Sequence, residues 1–476
     1  MPDDAMGSSF AITFVDLVKE PDIRVRSRAG WDLGQSADGA ALVITIPGGG
    51  QAHRLEDYVP AYDAANARLA SGAPLAELRD MVLQEGGARH AAGWLVMLQW
   101  LCRAGGLEFP LVDETGERAV IVPQWSSFVP ALASHLPLAG CPLDRFACIR
   151  RAGGTWVVES PLCGARVTLT DLGAFDAPLV RRALAAAGFL ETGPPENDSR
   201  QLALAQWEFH DLLFHTHHRM GWHRDPAGGI FPFIGEIDPL PARRQPWPGD
   251  SIELPRAPDD FGWESFASVL DRRRSERYYD ENHPVALKDL GTLLDRVARI
   301  RSSRVISIGN PQERSVAFEV TQRPYPSGGA SYELEIYPVV DRCAGLEPGV
   351  YHYDASGHAL VRLTGRTPDA ERLIADAAWA TGGQAAPQIV LVIAARFARV
   401  MWKYKSIGYG VILRNVGALY QTFYLAATDL GLSPCGIGSG DSALFARITG
   451  LDPVIEGSVG EFILGGRPRS DGIPTP

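Results

Sequence analysis

The sequence predicts an α+β protein divided into three domains, and three observations carry that reading. At 476 residues the chain exceeds what one ordinary core holds, so internal boundaries are required. Strand-like runs such as ALVITI (41–46), TWVVESP (155–161) and IVLVIAA (389–395) are interleaved with helical runs. A proline-rich stretch, DPLPARRQPWPGDSIELPRAP (238–258), reads as a linker ahead of the C-terminal part. The predicted domains are 1–132, 133–250 and 251–476.

Composition narrows the functional classes. Hydrophobic content of 46% and charged content of 21% belong to a globular protein, not to a disordered or fibrous one. Lys plus Arg is 45 against 56 for Asp plus Glu, a net charge of −11 that argues against general nucleic-acid binding. The start, MPDDAMGSSF, lacks the basic and apolar regions of a signal peptide, and the longest apolar runs are too short to span a bilayer. A cytoplasmic protein without membrane contacts is expected. Cysteines 102, 141, 148, 163, 343 and 435 form no C-x-x-C pair, so no zinc or redox motif is signalled and buried free thiols are expected.

In the first domain, Ala41–Ile46 reads as a strand and PGGGQ as a turn; no Lys-Ser/Thr follows to make it a phosphate loop. Helices are predicted over Pro60–Leu69, Pro74–Gln84 and His90–Arg103, the last stopped by Gly105-Gly106, with LEFPLV and AVIVPQW as a strand pair behind them. Helices followed by a hairpin match a winged-helix outline. The third helix, HAAGWLVMLQWLCR, is mostly apolar, which favours a peptide-docking or structural wing over a DNA reader.

The second domain carries FACIRR, TWVVESP and ARVTLTD as strands and PLVRRALAAAGFL as an amphipathic helix, an outline that resembles the first domain. WEFHDLLFHTHHRMGWHRD then places histidines at 210, 215, 217, 218 and 223. Their spacing does not set two ligands on one helical face, so a polar helix surface is expected, not a metal site.

The third domain opens with a helix over Trp263–Arg274, followed by Ser275, Glu276 and Arg277. Converging guanidinium forks and a hydroxyl suit an anion, although so short a run also fits a solvated basic face. After a helix over Val285–Ile300 comes RPYPSGGASYELEIYPVV (323–340), a rigid turn of small residues leading into a strand, where backbone can approach a flat ligand. LEPGVYHYD and Ile389–Ala395 are further strands. Lys403-Tyr404-Lys405 then precedes a long helix from Tyr409, apolar at Ile412, Val416, Leu419, Phe423, Ala427 and Leu430. Val411, Ala418, Tyr420 and Leu425 make its other side apolar too, so burial on all sides is expected, with a stop at Gly431 and Pro434. GIGSGD (436–441) lacks the full dinucleotide fingerprint and on this reading follows a helix. SVGEFILGG (458–466) is a buried strand ending in Gly465-Gly466-Arg467, a second candidate anion contact.

Six blocks in order, RRSERYY at Arg273, RPYPSGGASYELEIY at Arg323, GVYHYDASGHAL at Gly349, RVMWKYKSIGY at Arg399, GALYQTFYLAATDLGL at Gly417 and SVGEFILGG at Ser458, resemble the flavin-dependent nitroreductase superfamily. They are most similar to its SagB/ThcOx branch, the azoline dehydrogenases of thiazole/oxazole-modified peptide biosynthesis. EFHDLLFH at Glu208 resembles the segment that precedes the catalytic domain in that branch. The first 130 residues resemble winged-helix peptide clamps in outline only. The implied fold is a C-terminal FMN-dependent nitroreductase-like domain preceded by two small winged-helix-like α/β domains.

The resemblance implies an enzyme with FMN bound non-covalently at a homodimer interface, oxidising peptide thiazolines or oxazolines, with a precursor peptide and a cyclodehydratase as partners. It implies that Arg273, Arg274, Ser275 and Arg277 hold the phosphate and ribityl chain, helped by Gly465, Gly466 and Arg467. Pro326, Ser327 and Gly328 would lie along the isoalloxazine ring, with Gly436 and Gly438 on its other side. Lys403 and Tyr404 fall where the branch has a lysine-tyrosine pair beside the flavin. The general pattern has Glu-x-Gly and Gln-Asn in the long helix; here Asn415-Val416-Gly417 and Gln421-Thr422 stand there, so no catalytic role is assigned to that helix.

Aromatising an azoline removes a proton and a hydride, so the protein must supply a base. Free Tyr and Lys both have pKa values near 10. Tyr404 is expected as the base, with Lys403 lowering its pKa; the alternative is that both anchor flavin or substrate. Two rivals remain: a flavoenzyme acting on another peptide or small molecule, and a non-catalytic peptide-binding scaffold subunit.

Overall fold

In the computed structural model, residues 24–46, 51–126, 128–130, 138, 140–191, 199–225, 228–256, 262, 264–310, 314–383 and 385–468 are described. The chain divides into two compact units, Met1–Asp225 and Pro226–Pro476. No described helix is long and apolar enough to cross a membrane.

The first unit contains β1 (Arg24–Ser27), β2 (Asp32–Gln35), β3 (Ala41–Thr45), β4 (Gln51–Glu56), α1 (Ala61–Ser71), β5 (Ala73–Pro74) and α2 (Leu75–Ala104). It continues with β6 (Leu107–Asp113), β7 (Gly116–Pro123), β8 (Cys148–Ala152), β9 (Thr155–Glu159), β10 (Ala165–Leu169), α3 (Pro178–Ala186), α4 (Ser199–Leu204) and α5 (Phe209–His217). Strands β2, β3 and β4 form a separate sheet, and the others form one of order β5-β1-β6-β7-β10-β9-β8. The sheet therefore runs across the expected boundary at 132/133. The reason is pairing: β10 is antiparallel to β7, Val167 opposite Ile121, and both sides share one core that includes Trp94, Leu98, Val167, Val180 and Phe189.

Two expected helices merge into α2, which carries a break at Gly87 (φ 81°, ψ 174°). The predicted turn at 47–50 lies outside the described residues. Among the histidines, His210 and His215 are exposed, as a polar surface requires, but His223 is buried and stacks on His217 with ring centroids 6.3 Å apart.

The second unit contains β11 (Ser251–Glu253), α6 (Phe266–Arg272), α7 (Leu287–Ala298), β12 (Ser302–Asn310), β13 (Arg314–Gln322), β14 (Leu334–Val340), β15 (Gly349–Asp354) and β16 (Ala359–Thr364). After these come α8 (Pro368–Ala380), β17 (Ile389–Arg396), α9 (Ala398–Met401), α10 (Gly408–Asp429), β18 (Leu432–Ile437), α11 (Ser442–Thr449) and β19 (Glu456–Gly466). Its main sheet has the order β11-β16-β15-β14-β17-β19-β18. Every residue of β17 is buried, because the strand is covered on both faces. Ile389, Leu391 and Ile393 join a core with α7 and α10, whereas Val390, Val392 and Ala394 join one with α8 and α11. The hairpin β12–β13 is a sheet of its own, and no sequence signal anticipated it.

Three expectations change here. Helix α10 is not buried on all sides: Tyr409 and Leu413 are 40% and 38% exposed, on a stripe with Arg414, Gly417 and Gln421. Apolar residues exceed what its packed face can hold. GIGSGD follows a strand, β18, and leads to α11, whose N-terminus is capped by Asp441 accepting from the Leu444 amide. Since β18 runs antiparallel to β19, this is still no βαβ crossover. The proline-rich stretch is not a free linker. Its Ser251–Glu253 segment pairs with β16, and Arg244 Nε lies 3.0 Å from the Glu456 carboxylate, so side chains of the main fold capture it.

Candidate active site

The turn between β13 and β14 is braced by α10. Asn415 lies on the buried face between Ile412 and Leu419, and a polar group there requires partners. It accepts from the Gly328 amide at 2.9 Å and donates to the Ser327 hydroxyl at 3.2 Å and to Glu333 Oε1 at 2.9 Å. Ser327 Oγ also accepts from the Tyr332 amide at 2.9 Å. At Gly329 the backbone is left-handed (φ 63°), and a Cβ would come within 2.3 Å of Tyr404 Oη and 2.5 Å of Lys403 Nζ, so a larger residue would be strained and would displace both side-chain tips. Lys403 Nζ donates to the Gly329 carbonyl at 2.9 Å. The structure thus brings Ser327 and Gly328 to Lys403 and Tyr404; Pro326 precedes them in the same turn.

A second group gathers further along α10. Arg273 ends α6 with its guanidinium carbon 5.3 Å from the Tyr424 ring centroid. Ser275 Oγ is 2.8 Å from Tyr424 Oη, which accepts from the Gly436 amide at 2.7 Å. Arg274 is occupied by Glu276 at 2.5 Å, whereas Arg273 and Arg277 have no carboxylate partner among the described residues. At Gly465 a Cβ would meet Tyr279 at 2.0 Å, and the Gly466 carbonyl accepts from the Asp280 amide at 2.9 Å. This close approach draws the segment after Arg277 onto the end of β19, which leads into Arg467. Gly436 therefore joins the Arg273–Ser275 group and not the Gly328 turn, while Gly438 has no neighbour within 4 Å of an added Cβ.

Asn415 and Tyr424 are nine residues apart on one helix, about 13 Å along its axis at 1.5 Å per residue. The Arg273 guanidinium, with no carboxylate partner among the described residues, beside a hydroxyl at one end suits an anion. Backbone bared by glycine, next to an amine and a phenol at the other end, suits a flat ring.

Electrostatics reverse one expectation. Burial, and secondarily the Arg399 charge, lower the Lys403 pKa. Burial, and secondarily the Glu333 carboxylate, raise that of Tyr404. The phenol is not activated by its neighbour; the amine loses its proton the more readily of the two, relative to its ordinary value. Glu333, fully buried, is itself raised by desolvation, against the Asn415 hydrogen bond.

Glu333 and Asn415 are the residues that sequence reasoning missed. A polar residue inside an apolar stripe and a glutamate immediately ahead of a buried strand were the available signals. Asn415→Leu is expected to destabilise this unit by about 3 kcal/mol, since it leaves the Gly328 amide unpaired and removes one of the hydrogen bonds of a buried carboxylate, which keeps Ser327 at 3.4 Å. A folded pKa raised above the unfolded value means stability falls as pH rises from the ordinary carboxylate range through the raised value. The variant raises it further, so urea unfolding should show a larger loss above that window than near the unfolded pKa.

Comparison with known proteins identifies the family of this fold. The chain belongs to the nitroreductase family: the nitroreductase family model matches residues 270–466. A protein of Methanocaldococcus jannaschii described as a nitroreductase, MJ1384, is 33% identical over 191 residues, which is 40% of this chain and 86% of that protein. The trifolitoxin-processing protein TfxB of Rhizobium leguminosarum bv. trifolii is 30% identical over 149 residues, 31% of this chain and 40% of its own. The microcin B17-processing protein McbC of Escherichia coli is 28% identical over 172 residues, 35% of this chain and 61% of its own. The match thus spans less than two thirds of the length of both peptide-processing relatives.

Proposed function

We propose that the C-terminal unit is an FMN-dependent dehydrogenase that oxidises thiazolines or oxazolines in a peptide to thiazoles or oxazoles. The observation that carries this reading is the Lys403-Tyr404 pair set against the glycine turn, in a chain similar to two peptide-processing proteins. The residues fit FMN: Arg273 and Arg277, without carboxylate partners, and the Ser275 hydroxyl would hold the phosphate end, and the turn at Ser327–Gly329 the ring. Arg467, which follows the end of β19, would assist Arg277.

When bound, FMN supplies the two-electron oxidation. The chain's own work is to hold the azoline ring and remove its proton. Lys403, whose amine is easier to deprotonate than an ordinary lysine, is the base in this reading, and Tyr404, kept neutral, orients the ring through its hydroxyl. Exposed Phe266, Leu270 and Leu413 support a homodimer through this unit. The N-terminal unit is proposed as the docking module for the precursor peptide, in company with a cyclodehydratase.

The test is direct. FMN-loaded protein incubated with an azoline peptide should lower the peptide's intact mass by two hydrogens per ring. Flavin binding without that loss would point to a different substrate, and absence of flavin absorbance after reconstitution would favour the scaffold reading.

A further inference from the structure

Residues 228–242 lie upstream of the stretch matched by the family model, in what the sequence presents as the approach to a linker. Their carbonyls are held at successive points by buried donors of the catalytic unit. Trp402 Nε1 donates to Ile237 O at 2.6 Å, Arg399 to Leu240 O at 2.7 Å and Arg396 to Pro241 O at 2.8 Å. Proline-rich backbone has few amides to offer and leaves carbonyls free for such capture.

At the other end of this segment the Phe231 amide donates to the Lys403 carbonyl at 3.2 Å, and a Cβ on Gly229 would sit 3.1 Å from Lys403 Cε. Phe231 itself has φ 50°, a left-handed conformation uncommon for a bulky residue, which persists where surroundings enforce it. Its ring packs edge-on to Trp402, which stacks on Phe318, with centroids 5.6 Å apart in each pair. Lys403 Nζ lies 5.7 Å from the Phe231 ring, 5.9 Å from Phe318 and 5.6 Å from Tyr404.

We infer that residues 228–242 are a fixed strap that completes the Lys403-Tyr404 site, with Phe231 the positioning residue that walls in the Lys403 side chain. The strap confines the amine between three rings and the Gly329 carbonyl, which limits the directions from which a substrate ring reaches it. As a role in catalysis this rests on the proposed dehydrogenase reading; as a statement about access to Lys403 it does not.

The chain has only four lysines, 19, 288, 403 and 405, so amine acetylation of the FMN-loaded full chain can be followed site by site by peptide mass spectrometry. Above the ordinary lysine pKa of about 10.4 every amine is neutral, and labelling reads access alone. Phe231→Ala should raise Lys403 acetylation roughly threefold or more relative to Lys288 in the same molecules, with flavin absorbance retained, because the ring 5.7 Å from the amine no longer blocks the reagent's approach. Phe231→Leu, the safer variant for folding, should raise it less. With an azoline peptide, KM should rise more than kcat falls. Labelling of Lys403 that is unchanged in both variants overturns the strap. A wild-type protein that oxidises no azoline overturns the dehydrogenase reading, and the labelling result still decides the strap.

Discussion

Lys403→Met is expected to lower turnover of an azoline peptide by about 100- to 10,000-fold, the range lost when a positioned base is removed. Flavin content should remain at the wild-type level, because the side chain's hydrogen bond is to Gly329 O and the Arg273 guanidinium lies at the other end of α10. The pH dependence follows from the shift. A base acts when neutral, and the Lys403 pKa is lowered, so the rate should rise with pH through a limb below the ordinary lysine range. Tyr404→Phe should be the milder variant. A greater loss in Tyr404→Phe than in Lys403→Met would return the base role to the phenol, against the direction of its own shift.

Arg399→Met is expected to destabilise the C-terminal unit by about 3–5 kcal/mol, a fall of roughly 10 °C in Tm for a unit of this size. Arg399 is 1% exposed and donates to three carbonyls on three segments: Ser331 O at 2.9 Å, Leu240 O at 2.7 Å, and Glu319 O. Its guanidinium carbon also lies 4.1 Å from the Phe318 ring centroid. Charge-assisted bonds of this kind contribute about 1.5–3 kcal/mol each. Burial opposes them, pulling the Arg399 pKa down to about 10, which still leaves it charged at neutral pH. Because the folded pKa is depressed, this opposing effect is fully present at neutral pH and lifts only above about 10. Arg399→Lys should recover only a fraction, since an ammonium lacks the planar fork that serves three acceptors at once. Thermal unfolding of both variants checks the ordering.

Asn415 and Phe231 show where local pattern stops. The apolar stripe of α10 was readable, and so was the anomaly of an asparagine within it, but its partners Ser327, Gly328 and Glu333 are more than eighty residues away in sequence. Phe231 belongs to no periodic segment, and nothing around it announces a contact with Lys403. By contrast, the β-branched run of β17 carries its reason locally, whereas the glycines at 328–329 and 465–466 are legible as turn signals although the residues that crowd them are distant in sequence. The first is a strand with no polar face; the room around the glycines is taken by Val411, Lys403, Tyr404, Tyr279 and His283, which only the fold brings there.

By itself, then, the sequence determined the α+β class of the C-terminal part, its long helix and most of its strands, while the candidate site residues came from the family resemblance of its motifs. It did so because periodicity, glycine and clustered charge are local properties. Tertiary structure alone decided that β7 and β10 join the first two segments in one sheet, and that the proline-rich linker is a strap held by Arg396, Arg399 and Trp402. It also decided the burial that lowers the Lys403 pKa and raises that of Tyr404. Strand partners, captured carbonyls and desolvation all depend on which distant groups arrive alongside, and no local pattern encodes that.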